Sequence, residues 1–151
     1  MKRTFDVSMA VLGLVLVAPL LAIISVLIKL DSQGPVIFRQ VRVGQGFRPF
    51  AIRKFRTMAV DAPGTGLPLT VGQDSRITRI GRILRKCKLD ELPQLWNVLI
   101  GDMSFVGPRP EVPRNVECLR AEVSEVLTVR PGITDLPSLR YINEASILAY
   151  S

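Results

Sequence analysis

The stretch VSMAVLGLVLVAPLLAIISVLI, residues 7–28, decides the architecture of this 151-residue chain because it contains no charged side chain. A helix of that length would extend about 33 Å, enough to cross the hydrocarbon core of a bilayer. A buried helix of a soluble protein keeps a polar stripe, and a cleaved signal peptide is shorter and ends in a small-residue cleavage motif. The segment therefore predicts a membrane-inserted helix.

Two features predict that this helix turns back instead of crossing the membrane. Pro19 lies inside it, where the missing N–H and the ring break or bend a helix. The positive-inside tendency places both ends on the cytoplasmic face, because basic residues flank both: Lys2 and Arg3 before the segment, and Lys29, Arg39 and Arg42 after it. We expect a re-entrant helix broken at Pro19. A plain transmembrane anchor is the alternative, because spanning helices tolerate proline.

The composition narrows the classes of function. A formal net charge of +7 predicts anionic partners, which are nucleic acid, an acidic membrane surface or phosphorylated small molecules. The chain has no histidine, which excludes Ser-His-Asp catalysis and histidine-based zinc sites. Cys87 and Cys118 follow no metal-ligand spacing and are predicted to be ordinary reduced thiols.

Patterns after residue 30 predict a mainly α-helical domain with one small β-hairpin. The stretches VIFRQVRVG (36–44) and RPFAIRKFRTM (48–58) are rich in β-branched and aromatic residues and flank Gln45-Gly46, which is typical of a hairpin. Residues 61–72, with several prolines and glycines, are predicted to be a loop.

Three helices are predicted beyond that loop. TRIGRILRK (78–86) places Ile80, Ile83 and Leu84 on one face and arginines on the other. This amphipathic helix lies either on anionic lipid headgroups or on a core with its basic face in water. The other two helices are predicted over residues 90–101 and from residue 113 to about 128, with a rigid loop at 107–110 between them.

Asp90 and Glu91 are the candidate catalytic pair. They follow the basic run RILRKCK (82–88) and precede Pro93, which suits the first turn of a helix. The positive end of the helix should keep Asp90 ionised and attract phosphate, together with three cations nearby in the sequence, Arg85, Lys86 and Lys88. The alternative is that the two carboxylates only cap the helix, a common use of acidic residues at that position.

Three basic residues are candidates for binding phosphate. Arg109 stands between Pro108 and Pro110, whose rings stiffen the backbone, so its guanidinium fork can grip a phosphate at little ordering cost. Arg85 and Lys54 would add two further cations. A solvated Arg109 on a surface turn is the alternative, and Lys54 alone carries no signal.

Together these residues predict transfer of a phosphoryl group by a carboxylate. A diphosphate repels an attacking carboxylate, so several cations, usually with Mg²⁺, must offset the charge. Asp90 would act as the nucleophile and form an aspartyl-phosphate. Glu91 would bind Mg²⁺ together with substrate oxygens, and Lys54, Arg85 and Arg109 would hold the phosphates.

Four stretches of the chain resemble, in order and spacing, the small monotopic members of the bacterial sugar transferase family, the polyprenyl-phosphate phosphoglycosyltransferases. They are GPVIFRQVRVG (34–44), KFRTM (54–58), DSRITRIGRILRKCKLDELPQLWNVLIGDMSFVGPRPE (74–111) and RPGIT (130–134). The resemblance covers the chain from residue 1 to about 134 and is most specific over residues 89–110.

The resemblance implies transfer of a sugar-1-phosphate from a UDP-sugar to polyprenyl (undecaprenyl) phosphate in a ping-pong reaction. UMP leaves as Asp90 takes the phosphosugar, and polyprenyl phosphate then removes it. Glu91 matches the family's Mg²⁺-binding glutamate, and Lys54, Arg85 and Arg109 fall where the family has functional basic residues. The family works at the first membrane step of exopolysaccharide, O-antigen, capsule or glycoprotein glycan assembly.

The predicted organisation is a membrane-inserted helix at residues 1–30 and a compact catalytic domain with amphipathic interfacial helices at residues 31–151. The resemblance places the protein in the bacterial inner membrane, on anionic lipids, with this domain on the cytoplasmic face. The chain departs from the family pattern in having Ala18 where serine often precedes the proline, and residues 135–137 in place of Gly-Trp. It is also shorter than usual, which predicts a short or C-terminally truncated member. The sugar and the oligomeric state are not predicted.

Two other functions fit part of the sequence. A membrane-anchored basic module that binds nucleic acid or acidic lipid fits the net charge. Aromatic residues make up only 6% of the chain and no nucleic-acid motif is present, so no nucleic-acid partner is predicted. An inactive homologue that acts as a scaffold fits the short C-terminus, but the intact acidic pair and Pro-Arg-Pro motif argue against it.

Overall fold

The computed structural model describes residues 1–59, 76–118 and 124–135. The predicted loop at residues 61–72 and the departures at residues 136–137 lie outside these ranges. The described helices are α1 (Lys2–Asp31), α2 (Arg79–Lys86), α3 (Gln94–Ile100) and α4 (Pro113–Cys118). The strands are β1 (Ile37–Val43), β2 (Pro49–Phe55), β3 (Ser104–Val106) and β4 (Gly132–Thr134).

The N-terminal helix α1 is continuous through Pro19, so the predicted break at this residue is not seen. A proline removes the hydrogen bond of its own nitrogen, but the turns on either side keep theirs and the helix continues. One turn further on, Ser25 Oγ donates to the carbonyl oxygen of Leu21 at 2.6 Å. The re-entrant course of the chain stays a prediction.

Both ends of α1 pack against the rest of the chain. Near its start, Ala10 is fully buried in a cluster with Val98. Near its end, Ile28 is buried in a second cluster with Phe55. A 30-residue helix is about 45 Å long, so contacts at both ends mean that the domain lies alongside α1 instead of at one end of it.

The opposite side of α1 is apolar and uncovered. Within the described ranges, α1 is the helix that is long and apolar enough to cross a membrane. A contiguous exposed apolar surface of this extent indicates membrane association. Its large exposed side chains include Val11, Leu12, Val15, Leu16, Ile23, Val26, Leu27 and Leu30.

The predicted β-hairpin is confirmed. β1 and β2 pair antiparallel in a register that runs from Ile37 opposite Phe55 to Val43 opposite Pro49. A 3-10 turn, Gln45–Phe47, connects them, and Gly46 takes a positive φ of 64° there. Glycine suits this position because other residues are strained in the left-handed region.

The prediction of a mainly α-helical domain with a single hairpin is incomplete, because a second small sheet is present. β3 pairs with β4 in parallel, with Ser104 opposite Gly132 and Val106 opposite Thr134. Strands of three residues, far apart in the sequence, leave no alternating pattern that could predict them.

The predicted helices are confirmed in part. α2 matches its prediction, with the Thr78 hydroxyl accepting from the backbone N–H of Gly81 as an N-cap. Ile83 does not share the buried face, because its side chain is 57% exposed. α4 covers the first part of the helix predicted over residues 113–128, and a separate 3-10 turn, Val126–Thr128, occupies its end.

Two glycines in helices give a matched test of this packing. A Cβ on Gly81 would lie 2.2 Å from the carbonyl oxygen of Thr57, whereas a Cβ on Gly13 would lie 3.4 Å from Leu95 Cδ1. Both substitutions to alanine gain about 1 kcal/mol of helix propensity. We expect Gly81→Ala to lower the unfolding temperature in detergent, with a net cost of about 1–3 kcal/mol from overpacking.

Gly13→Ala is the control and should leave the unfolding temperature unchanged or raise it. Equal unfolding temperatures for the two variants would contradict the described contact between α2 and the chain that follows β2.

Candidate active site

Asp90 and Glu91 lie in a 3-10 turn, Leu89–Glu91, which precedes α3. The helix predicted to start at Asp90 in fact starts at Gln94. Lys88 adopts a left-handed conformation (φ 57°) between α2 and this turn, and the following N–H groups bond three residues back instead of four. The expectation that an α-helix N-terminus favours an ionised Asp90 therefore loses its structural basis.

Lys54 reaches the acidic turn from β2. Its Nζ lies 2.7 Å from Glu91 Oε1, and each side chain is about a quarter exposed (25% and 26%). A charge-assisted hydrogen bond of this length and partial burial holds the two groups in a defined geometry. Two residues predicted to belong to one site, 37 positions apart in the sequence, are thus brought into contact.

Asn97 fixes the hairpin to α3. Its side chain is fully buried. Its Oδ1 accepts from the backbone N–H of Arg53 at 3.1 Å, and its Nδ2 donates to the carbonyl oxygen of Ala51 at 2.8 Å and to Asp102 Oδ2 at 3.2 Å. Because these bonds hold the part of β2 that immediately precedes Lys54, they set where the strand presents the lysine to Glu91.

The Pro-Arg-Pro segment is held against β4 by close backbone contacts. The N–H of Gly107 donates to the carbonyl oxygen of Thr134 at 3.1 Å. The N–H of Gly132 donates to the carbonyl oxygen of Pro108 at 2.9 Å. A Cβ on Gly107 would lie 2.3 Å from the carbonyl oxygen of Arg130, so glycine is required for this approach. The two motifs GPRP and RPG therefore form one backbone platform.

Arg109 stands exposed on this platform. Within the described ranges, no hydrogen bond or ion pair links its guanidinium to another side chain. Pro108 and Pro110 flank it as predicted, and Pro110 is buried. The arginine is thus anchored by its backbone while its side chain stays exposed.

A pocket lies between the hairpin, the acidic turn, α3 and the Pro-Arg-Pro platform. Lys54, Glu91 and Arg109 share it, as the sequence predicted, but Asp90 and Arg85 do not line it. The residues that line it are Arg42, Ile52, Lys54, Glu91, Gln94, Arg109, Pro110, Gly132, Ile133 and Asp135.

Asp90 sits beside the pocket in a partly buried position. Burial raises the pKa of its carboxyl group, and the negative charge of Glu91 raises it further. Lys54, Arg85 and a hydrogen bond to its own backbone lower the pKa but do not outweigh burial. The cations lower the pKa of Asp90, as predicted, but burial raises it by more.

Arg85 belongs to the last turn of α2 and lies outside the pocket lining. Its Nε donates to Thr57 Oγ1 at 2.9 Å, so one edge of its guanidinium is engaged by the protein. Its charge still acts on Asp90. The structure therefore groups Arg85 with the acidic turn and not with the pocket that Lys54 and Arg109 share.

The carboxylates suit Mg²⁺ better than a metal held entirely by protein ligands. Within the described ranges, no three His, Cys, Asp or Glu side chains cluster as a metal site. Mg²⁺ commonly takes one or two carboxylates and completes its shell with water and substrate phosphate oxygens. Glu91, which faces the pocket, fits that donor set.

Three residues at the site were not predicted from the sequence as functional. Arg42 had a place only among the basic residues that follow the apolar segment, and Gln94 and Asn97 lay in the predicted helix over residues 90–101. Hairpin register brings Arg42 and Lys54 to the same pocket, but a sequence pattern does not reveal which side of a two-stranded sheet faces a site.

Comparison with known proteins gives one family. A sequence model described as bacterial sugar transferase matches residues 1–149. A Caulobacter vibrioides protein named UDP-glucose:undecaprenyl-phosphate glucose-1-phosphate transferase is 46% identical over 142 residues, which cover 92% of this chain and 53% of that one. The Rhizobium leguminosarum exopolysaccharide production protein PSS is 44% identical over 147 residues, 93% of this chain and 74% of that one.

A third relative differs in its named sugar. The Aeromonas hydrophila UDP-N-acetylgalactosamine-undecaprenyl-phosphate N-acetylgalactosaminephosphotransferase is 46% identical over 136 residues, 88% of this chain and 32% of that one. The chain thus spans between a third and three quarters of the length of these relatives. Equal identity to proteins named for glucose and for N-acetylgalactosamine means that overall similarity does not select a sugar.

The raised pKa of Asp90 predicts that its carboxylate destabilises the folded protein. A folded-state pKa above the unfolded value means that this group's contribution is most favourable below the unfolded pKa, near 4, and is lost as pH rises through the folded pKa. We expect Asp90→Asn to unfold at a higher temperature than the unsubstituted protein at pH 7.5, in detergent without divalent cations. The gap should narrow as the pH falls towards 4.

Glu125→Gln is the control, since it also removes one negative charge but at an exposed position, and its unfolding temperature should match the unsubstituted protein. A lower unfolding temperature for Asp90→Asn at pH 7.5 would contradict the electrostatic account of the acidic turn.

Proposed function

The chain belongs to the bacterial sugar transferase family, and on that premise we propose that it transfers a sugar-1-phosphate from a UDP-sugar to undecaprenyl phosphate and releases UMP. The names of the relatives support the substrate classes. The observation that carries the proposal is the meeting of Lys54, Glu91 and Arg109 in one pocket directly beside Asp90.

In the first step, a carboxylate oxygen of Asp90 attacks the phosphorus atom that carries the sugar. The bond between that phosphorus and the bridging oxygen breaks, and UMP leaves with the electron pair. The phosphosugar remains on Asp90 as a mixed anhydride. Its partly buried position supports this role, because a poorly solvated carboxylate is a stronger nucleophile than one fully hydrated.

In the second step, a phosphate oxygen of the polyprenyl substrate attacks the same phosphorus. The bond to Asp90 breaks, the carboxylate is regenerated, and the sugar leaves as a polyprenyl diphosphate. Both displacements pass through a phosphorus centre rich in negative charge. Fixed cations placed before the substrate arrives, Lys54 and Arg109 among them, stabilise that charge without reorganisation.

Glu91 is the residue we assign to Mg²⁺. The ion, when bound, would neutralise phosphate oxygens and make phosphorus more susceptible to attack. The ion pair with Lys54 orients the Glu91 carboxylate towards the pocket. Arg85, which faces Asp90 from α2, favours the ionised form of the nucleophile and would stabilise the carboxylate as it is released in the second step.

The exposed apolar side of α1 supports attachment to a membrane, where the polyprenyl substrate resides. Both ends of α1 contact the same domain, so the two ends cannot lie on opposite sides of a bilayer. We therefore assign α1 a re-entrant or in-plane course, with the domain on the cytoplasmic face of the bacterial inner membrane, where UDP-sugars are available.

UMP release by purified protein in detergent, with a panel of UDP-sugars, Mg²⁺ and undecaprenyl phosphate, tests the proposal. We expect turnover with at least one sugar. Asp90→Asn should lose at least about a thousandfold in rate because the nucleophile is gone. Glu91→Gln should lose rate severely and respond less to Mg²⁺.

Glu125→Gln serves again as the control and should keep full activity. Robust UMP release by Asp90→Asn would end the nucleophile assignment. Absence of UMP release from a folded, unsubstituted protein with every donor tested would favour the inactive scaffold instead.

A further inference from the structure

Arg42 lines the pocket together with Arg109, although no sequence pattern predicted a functional role for it. It lies near the end of β1, and its side chain is half-buried. Three cations therefore converge on the pocket: Arg42 from the hairpin's first strand, Lys54 from its second and Arg109 from the Pro-Arg-Pro platform.

The protein holds the Arg42 guanidinium by its two terminal nitrogens. Nη1 donates to the carbonyl oxygen of Pro110 at 3.2 Å, and Nη2 donates to Gln40 Oε1 at 2.8 Å. Its Nε is buried, and no residue in the described ranges accepts a hydrogen bond from it. Each terminal nitrogen carries a second N–H, and these are the donors that a ligand's oxygen atoms would meet in the pocket.

The electrostatics of Arg42 also favour an anionic ligand. Burial lowers the pKa of its guanidinium, and the positive charge of Arg109 lowers it too, whereas Glu111 raises it. Glu91 and Asp135 are the other acidic residues that face the pocket, and Lys54 neutralises Glu91. Glu111 offsets part of the positive charge, and an anion bound near both arginines would offset the repulsion between them as well.

We propose that Arg42 binds a substrate phosphoryl group together with Arg109, so that one guanidinium group from β1 and one from the Pro-Arg-Pro platform both contact the phosphate oxygens. The inference rests on the proposed function for the identity of the substrate. The shared chemistry is a phosphate, supplied either by the nucleotide donor or by the polyprenyl acceptor, and separate measurements distinguish the two.

The test compares Arg42→Gln with Arg39→Gln in binding to UMP and to a short-chain prenyl phosphate, measured by titration calorimetry in detergent. Both variants remove one positive charge from β1, but Arg39 is exposed and its position, three residues away, faces the other side of the strand. We expect Arg42→Gln to weaken binding of at least one probe about ten- to a hundredfold, the value of a hydrogen bond to a charged group.

Arg39→Gln should change either affinity less than about threefold, as expected of a screened surface charge. Weaker UMP binding alone assigns the phosphate to the donor, and weaker prenyl phosphate binding alone assigns it to the acceptor. If Arg42→Gln binds each probe as tightly as Arg39→Gln does, the proposal is wrong.

Arg42→Lys keeps the positive charge but loses the planar guanidinium group. This variant tests the phosphate-binding role of Arg42 if Arg42→Gln does not fold. We expect it to bind the affected probe several-fold more weakly than the unsubstituted protein; unchanged affinity would contradict bidentate binding. These readouts are independent of turnover. A failed UMP-release assay would therefore remove the proposed function while leaving the phosphate-binding role of Arg42 to be judged on its own.

Discussion

The ion pair between Lys54 and Glu91 is the contact on which the described site depends. It joins the β-hairpin to the acidic turn at 2.7 Å. The two residues are 37 positions apart in the sequence. Its contribution to stability is modest, because both side chains keep contact with water. Its importance lies in position, because it holds the acidic turn next to the basic residues that line the pocket. Asn97 supports this arrangement by holding the backbone just before Lys54, at Ala51 and Arg53, to α3.

Charged groups at both ends of α1 tie this site to the membrane helix. Asp6, buried near the start of α1, accepts from Ser104 Oγ at 2.9 Å, and Arg3 donates to the carbonyl oxygens of Val98 and Leu99, which end α3. At the other end, the Asp31 carboxylate accepts from the N–H of Ile80 at 3.0 Å, in the first turn of α2. These bonds connect the exposed apolar helix to the elements that flank the acidic turn, so α1 and Asp90 are held in one fixed arrangement.

The sequence predicted those features whose signals are local. The apolar stretch, the hairpin, α2 and the stop of α3 at Gly101 follow from composition, alternation and glycine conformation within a few residues. The β3–β4 pair, the 3-10 turn at Asp90 and the place of Arg42 did not follow, because each depends on residues distant in the chain. The left-handed Lys88, which separates α2 from the turn, carries no sequence signal at all, since lysine rarely adopts that conformation.

The central claim is that Asp90 becomes covalently bound to the phosphosugar, and trapping that adduct tests it most directly. The protein would be incubated with an active UDP-sugar and Mg²⁺ without any polyprenyl phosphate, digested at low pH and analysed by mass spectrometry. The account predicts one added sugar phosphate on the peptide that contains Asp90, absent from Asp90→Asn and lost when polyprenyl phosphate is added before digestion. A protein that turns over the same donor but carries no adduct there, or carries it on another residue, would contradict the account.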